Sequence, residues 1–392
     1  MTDLEAAVVA LTAELIAIDS VSPSLVPDAA GEARIAAHLA QRLAASGFGV
    51  QLVAAPADER RVSVLATRTG SRPGRTIVLN GHLDTVGVED MREPFEPRIE
   101  GDRMLGRGAS DMKGGVAGLV VAAEQLAAED APGTIILALV ADEEDASLGA
   151  ETVIAELQRT GVTADACLIA EPTWLQLAAA HRGYLTGTVL LEGRASHSSQ
   201  PEQGIDAIAG LRELLVGVHE AHQALQAKPA HPLLGHGSLM ATVVEAGTAP
   251  FTVAAAAGLV VERRTLPGEH TSDVMLQLHP VIERTIGAVP GLTADVRFTL
   301  ARDAWELDDE GPAAQLATFL GEALAASGTA PERTGAPYWM ESALWQAAGV
   351  PAVVCGPAGG GLHAIDEWVD LAQLRRYPAA VVAAVRRFLE AT

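Results

Sequence analysis

Cysteine is scarce in this chain of 392 residues: only Cys167 and Cys355 occur, and they form no C-x-x-C pair. Two cysteines in so long a chain make no disulfide framework. Each adjoins an apolar stretch, so both read as buried small hydrophobes in a reducing compartment. Basic residues are few as well, 27 Lys and Arg against 50 Asp and Glu, which leaves a net charge of −23. That balance argues against a nucleic-acid partner, whose phosphates demand a basic face. It argues equally against anchoring to anionic lipid. Long hydrophobic runs are missing too, since glycine or charge breaks each one before the ~20 residues that a membrane span needs. The segment Met1-Thr2-Asp3-Leu4-Glu5 lacks the basic start of a secretory signal, and a cytoplasmic protein is expected. There is no internal repeat and no low-complexity linker.

What is present alternates. A chain this long exceeds the roughly 250–300 residues at which single cores stop growing, so two domains are expected. Apolar residues at three- and four-residue steps over 4–18 predict an amphipathic helix, and 32–46 a second one that Gly47 ends. Residues 62–66, 76–79, 134–141 and 166–170 read as strands, with helices over 114–128 and 151–160 between them. Strand alternating with helix predicts an α/β layer with a mostly parallel sheet. From about His181 the texture changes to strand, long helix (204–226), two strands (239–244 and 258–264) and helix (272–286), which suits an inserted α+β domain. The α/β pattern then returns with a helix over 312–327, a strand over 352–355 and a last helix over 378–390. The expected division is 1–180 with 297–392 around an insertion of 181–296.

Acidic and histidine residues follow the apolar runs. His82 and Asp84 come after 76–79, Glu143 and Glu144 after 134–141, and Glu171 after 166–170. In open α/β sheets, functional groups collect beyond the carboxyl ends of the strands, so three strands aim donors at one edge. On an extended segment His82 and Asp84 point the same way, and the Asp84 carboxylate can then accept from the imidazole nitrogen not bound to metal. Asp111 opens a glycine-rich turn; it reads as a rigidly held ligand or as a plain helix N-cap. Glu143 and Glu144 are adjacent, so one can face a metal while the other takes a proton. Imidazoles and carboxylates so placed can hold two divalent ions, and a spare carboxylate points to metal-assisted hydrolysis.

Six segments together resemble the M20 metallopeptidase family, closest to its acetylornithine deacetylase and succinyl-diaminopimelate desuccinylase branch. They are Gly81-His82-Leu83-Asp84-Thr85-Val86, the run from Gly106 through Asp111 to Gly115, Asp142-Glu143-Glu144, Leu168 to Thr173, Ser196-His197-Ser198-Ser199-Gln200-Pro201, and Leu362-His363-Ala364-Ile365-Asp366-Glu367. The resemblance implies a zinc-peptidase-like catalytic domain with an inserted lid and dimerisation domain, and hence a homodimer. It implies that His82 and Glu171 hold one metal and Glu144 and His363 the other, with Asp111 bridging. Glu143 would be general base and acid, and Asp84 would orient His82. His197 would stabilise the oxyanion, commonly in the partner subunit's site; the lesser alternative is a loop histidine with only local hydrogen bonds. Arg264 matches the family's carboxylate-binding arginine, or pairs with the acidic surface. Glu341 can receive a substrate ammonium or stand as a solvated residue at a helix start. Tyr338, Trp339 and Trp345 read as an apolar wall or as packing for the last helix. The implied metal is zinc, with cobalt or manganese acceptable to the same donors. The implied substrate is an N-acyl amino acid, N-acetyl first, with a dipeptide or C-terminal peptide bond as the alternative and a silent binding protein as a remote one. The segment 246–254 lacks one glycine and the second proline of the family pattern, which removes support for a substrate contact from that loop.

Overall fold

The computed structural model describes residues 2–328 and 330–391, which fall into two compact units. The first comprises 1–179, 307–334 and 340–392, and the second 180–306 with 335–339.

The first unit is built on one large sheet and also holds a small four-stranded one of Gly359–Gly360, Trp368–Asp370, Arg103–Leu105 and Arg98–Glu100. The strands of the large sheet run in the order Gly49–Ala55, Asp58–Thr69, Thr134–Val140, Thr76–His82, Ala166–Ile169 and Ala352–Val354. The last four are mutually parallel, Thr76–His82 lying between Thr134–Val140 and Ala166–Ile169, with Ala352–Val354 beyond. Uninterrupted Ile, Leu and Val in these strands leave almost no face for water, as parallel strands covered on both sides require. Antiparallel pairing flanks the parallel centre: Asp58–Thr69 pairs with Thr134–Val140, and Gly49–Ala55 with Asp58–Thr69. The outer strand Gly49–Ala55 is half exposed and carries no long apolar run, which is why the pattern of the sequence does not reveal it.

Two features correct the expected elements. The last helix is Leu371–Glu390, beginning seven residues before Pro378, with the Asp370 side chain accepting from Gln373 N–H as its N-cap. Pro378 is therefore an interior residue and not a helix start. The stretch 272–286 is two helices, Thr271–Gln277 and His279–Ala288, and Pro280 near the start of the second explains the break.

The second unit carries a four-stranded antiparallel sheet in the order Ser238–Ala246, Ala256–Thr265, Gly183–Glu192 and Thr293–Arg302. Gly183–Glu192 alternates buried and half-buried positions along its length. Val189 and Leu191 pack with Leu211, Leu214 and Val218 of the helix Ala207–Gln226 and with Leu259 and Val261 of the neighbouring strand. Thr293–Arg302 runs across the expected boundary at 296, so the unit extends to Glu306. Its alternation is polar with half-buried apolar side chains, too weak a pattern to announce a strand.

Close packing under the sheet edge fixes the helix Gly114–Ala128. An added Cβ on Gly115 would lie 2.2 Å from the Ala170 carbonyl oxygen, at the end of Ala166–Ile169. Gly115→Ala is expected to lower stability by about 1–3 kcal/mol through overpacking, read from urea denaturation. An unchanged midpoint would refute this close approach.

Candidate metal centre

Strand register brings the donors together. Thr76–His82 and Thr134–Val140 run parallel with His82 opposite Val140, so their following loops leave the same edge. Ala166–Ile169, on the other side of Thr76–His82, ends at that edge and leads into Glu171. One ligand atom each from His82, Asp111 and Glu144 lies within 4.8 Å of the others, and so do atoms from His82, Glu143 and Glu171. His82 Nε2 is 3.0 Å from Asp111 Oδ1, while His363 Nε2 is 3.3 Å from Asp111 Oδ2 and 3.1 Å from Glu144 Oε2. Asp111 therefore stands between the two imidazoles, one carboxylate oxygen toward each. It does not cap a helix: the residue before the turn has no side-chain cap, and Asp111 itself has extended dihedrals.

The His82 tautomer follows from its partner. Nδ1 lies 2.9 Å from the Asp84 backbone oxygen, which can only accept, so Nδ1–H donates and Nε2 faces the cluster. The Asp84 carboxylate was expected to do this; its Oδ1 is 3.7 Å away. The side chain serves a different purpose. Asp84 Oδ1 accepts from Glu143 N–H at 3.1 Å and Oδ2 from Glu144 N–H at 3.2 Å. Face alternation told which way Asp84 points but not which donors it would meet.

Glu367 lay unassigned in one of the family-like segments, and it anchors the Asp111 turn. Its carboxylate accepts from Arg107 Nη1 at 2.9 Å and from the N–H groups of Gly108, Ser110 and Asp111 at 2.7, 2.9 and 3.0 Å. No local pattern points to a contact between residues this far apart in sequence.

Crowding decides the protonation of the cluster. Burial, then the Glu171 charge, pushes Glu143 well above the ordinary carboxylate range. Burial raises Glu171 to about 8 against the pull of His82, and it raises Glu144 as well. Asp111 is buried too, yet hydrogen bonds from His363 and His82 hold it below its usual value. Hydrogen bonds to Asp111 and Glu144 lift His363 to about 10. Glu144 Oε1 is buried and has no hydrogen-bond partner. Like-charged oxygens this close, one of them unsatisfied, are what a divalent cation neutralises, and the residues fit a metal site on that ground.

Glu341 is 1% exposed, so the solvated reading is wrong for it. It stands just before the short helix Ser342–Ala347, and its charge raises both Glu143 and Glu171. Trp345 is buried on that helix. His197 and Arg264 belong to the second unit. His197 is exposed, with Nδ1 2.7 Å from Ser199 Oγ. Arg264 pairs with Glu262 on its own strand and lies 5.4 Å over the Tyr184 ring. Trp339 packs edge-on to His181 and Tyr184. Both cysteines are buried and free, and burial pushes the Cys355 thiol up to about 12. No helix among the described residues is long and apolar enough to cross a membrane.

Residues 78–387 match Peptidase family M20/M25/M40, and the chain belongs to this family. It is 30% identical to a succinyl-diaminopimelate desuccinylase of Xanthomonas euvesicatoria over 97% of this chain and 99% of that protein. It is 28% identical to an acetylornithine deacetylase of Proteus mirabilis over 92% of this chain and 91% of that one. A dinuclear metal-binding M20 peptidase from Bacillus subtilis has the same fold, with a TM-score of 0.73 at 17% identity, covering 99% of each chain. The protein is a metal-dependent hydrolase.

Metal loading must displace protons from these groups, because cations take carboxylates and neutral imidazoles. Titrating zinc into metal-free protein at pH 7 is therefore expected to release protons. Calorimetry in buffers of different ionisation enthalpy should show a buffer-dependent heat. Heats independent of buffer would mean that the cluster carries no such protons.

Proposed function

We propose that this enzyme hydrolyses the amide bond of an N-acyl amino acid, releasing a small carboxylic acid and the free amine. The observation that carries this reading is the cluster of four carboxylates and two imidazoles; under the ligand assignment proposed here Glu143, which lies among them, is the carboxylate left over. His82 and Glu171 would hold one divalent ion, Glu144 and His363 the other, and Asp111 would bridge; zinc is the proposed metal, with cobalt or manganese suited to the same donors. Bound ions supply an acidified water and a polarised carbonyl. Glu143 takes the proton of the attacking water and returns it to the leaving amine, a task its raised proton affinity suits. Asp84 holds the backbone beneath Glu143 and fixes, through its carbonyl, the face that His82 presents.

Glu341 is proposed to receive a substrate ammonium, because it is buried and its charge acts on both Glu143 and Glu171. Arg264 is proposed to take the substrate carboxylate in exchange for Glu262. Relatives named desuccinylase and deacetylase support deacylation without choosing the acyl group. Amine release from N-acetyl, N-succinyl and dipeptide substrates by metal-loaded enzyme, with a chelated control, tests the reading. Metal-dependent release from acyl amino acids is expected, and Glu143→Ala should abolish it while metal content stays unchanged. Cleavage of dipeptides alone would overturn the proposal.

The second unit supports a homodimer. Its edge strand Ser238–Ala246 exposes Met240 (48%), Val243 (50%) and Val244 (49%), an apolar edge that a second copy can cover. His197 would then serve the partner subunit's site as oxyanion donor, a role worth about 10²–10³ in kcat. Glu143→Ala and His197→Ala proteins, each impaired alone, should regain activity when mixed and allowed to exchange subunits. Dimers that exchange without recovery would rule out action between subunits.

A further inference from the structure

Arg61 lies at the start of the apolar core of Asp58–Thr69 and is fully buried. Its guanidinium faces three carboxylates that are themselves buried. Nη2 is 2.6 Å from Glu32 Oε1, 2.8 Å from Asp142 Oδ1 and 3.5 Å from Asp84 Oδ2. Nη1 donates to Ser22 Oγ and Ser24 Oγ, each at 3.0 Å, and Ser24 Oγ in turn donates to Asp142 Oδ1 at 3.2 Å.

All three carboxylates touch the segment that carries Glu143 and Glu144, Glu32 only through its first residue, where Oε1 accepts from Asp142 N–H at 3.3 Å. Asp84 binds the N–H groups of both glutamates. Asp142 opens the segment, with φ of 67°, and its Oδ2 accepts from Leu148 N–H at the start of the helix Leu148–Thr160. Ser147, just before that helix, also has positive φ, at 57°. A segment bent at both ends is held at both ends by carboxylates that share one guanidinium.

We infer that Arg61 is a positioning residue for the general base: through Asp84 and Asp142 it fixes the segment 142–147 and so the place of Glu143 and Glu144. The planar fork of Arg can span several acceptors at once, which a Lys ammonium cannot reproduce. Glu32 is the remaining carboxylate and contacts neither glutamate. Its contact with the guanidinium is the shortest of the three, and it reaches the segment only at the Asp142 amide. This inference rests on the proposed role of Glu143, but part of its test does not.

The experiment compares Arg61→Met, Arg61→Lys and Glu32→Gln in the full chain. Glu32→Gln removes one charge from the same buried group while keeping an acceptor for Asp142 N–H and leaving the guanidinium on Asp84 and Asp142. Arg61→Met should lower kcat by about 10–100-fold, the usual cost of losing a residue that supports a metal ligand. KM should stay within about twofold, because substrate binding is not what is lost. Arg61→Lys should recover only part of the rate. In cobalt-loaded protein the d–d absorption should change in Arg61→Met and not in Glu32→Gln. In metal-free protein, amide exchange over 143–148 should rise in Arg61→Met and not in Glu32→Gln. If Arg61→Met folds with lower stability but keeps the wild-type kcat, cobalt spectrum and local exchange, the residue only neutralises buried charge and the inference fails. If Arg61→Met does not fold, Arg61→Lys carries the test, and wild-type kcat and spectrum in that variant overturn it. Wild-type enzyme silent on every substrate would sink the proposed reaction instead, with the spectrum and the exchange still reporting on Arg61.

Discussion

Repulsion among carboxylates is the constraint on which the rest of the first unit depends. Asp111, Glu143, Glu144 and Glu171 meet within a few ångströms, and in their ionised forms, the forms a cation takes, they drive one another apart at the prevailing low polarity. Each is therefore restrained from behind. Asp111 sits on a turn whose amides are held by Glu367, and Glu143 and Glu144 hang from Asp84. Glu171 follows directly from a fully buried strand. Restraint of this kind keeps the donors in place before any cation arrives, which favours binding by sparing the cost of ordering them.

The restraints are themselves charged, so the constraint is passed inward. Glu367 is balanced by Arg107, and Asp84 and Asp142 by Arg61. Buried ion pairs contribute little net stability, because desolvation offsets their attraction. What they supply here is a fixed geometry, with the oily strands of the sheet as the frame that keeps water away from them.

How much of this was legible in the sequence depends on range. His82, Glu143, Glu144 and Glu171 each follow an apolar run, and a buried parallel strand delivers the next residues to one edge whatever the rest of the chain does. Strands buried on both faces were visible for the same reason. Gly49–Ala55 and Thr293–Arg302 were not, being half exposed and weakly patterned. Pro378 misled because a proline at the first turn of a helix is commoner than one in its interior. Arg61, Glu32 and Glu367 carried no local sign, since their partners are set by tertiary packing across dozens to hundreds of residues. Asp84 was found but given the wrong hydrogen bond, because direction along a strand does not name a partner.

The clamp on the Asp111 turn has a consequence for how the protein is made. Asp111 emerges during synthesis 256 residues before Glu367, and His363 lies close to Glu367 at the far end of that interval. Domains fold as they leave the ribosome, and contacts of long separation close last. The sheet and most of its acidic edge can thus be assembled while the turn is still unheld and one imidazole is absent. A growing chain carries an incomplete cation trap until the segment with His363 and Glu367 joins it.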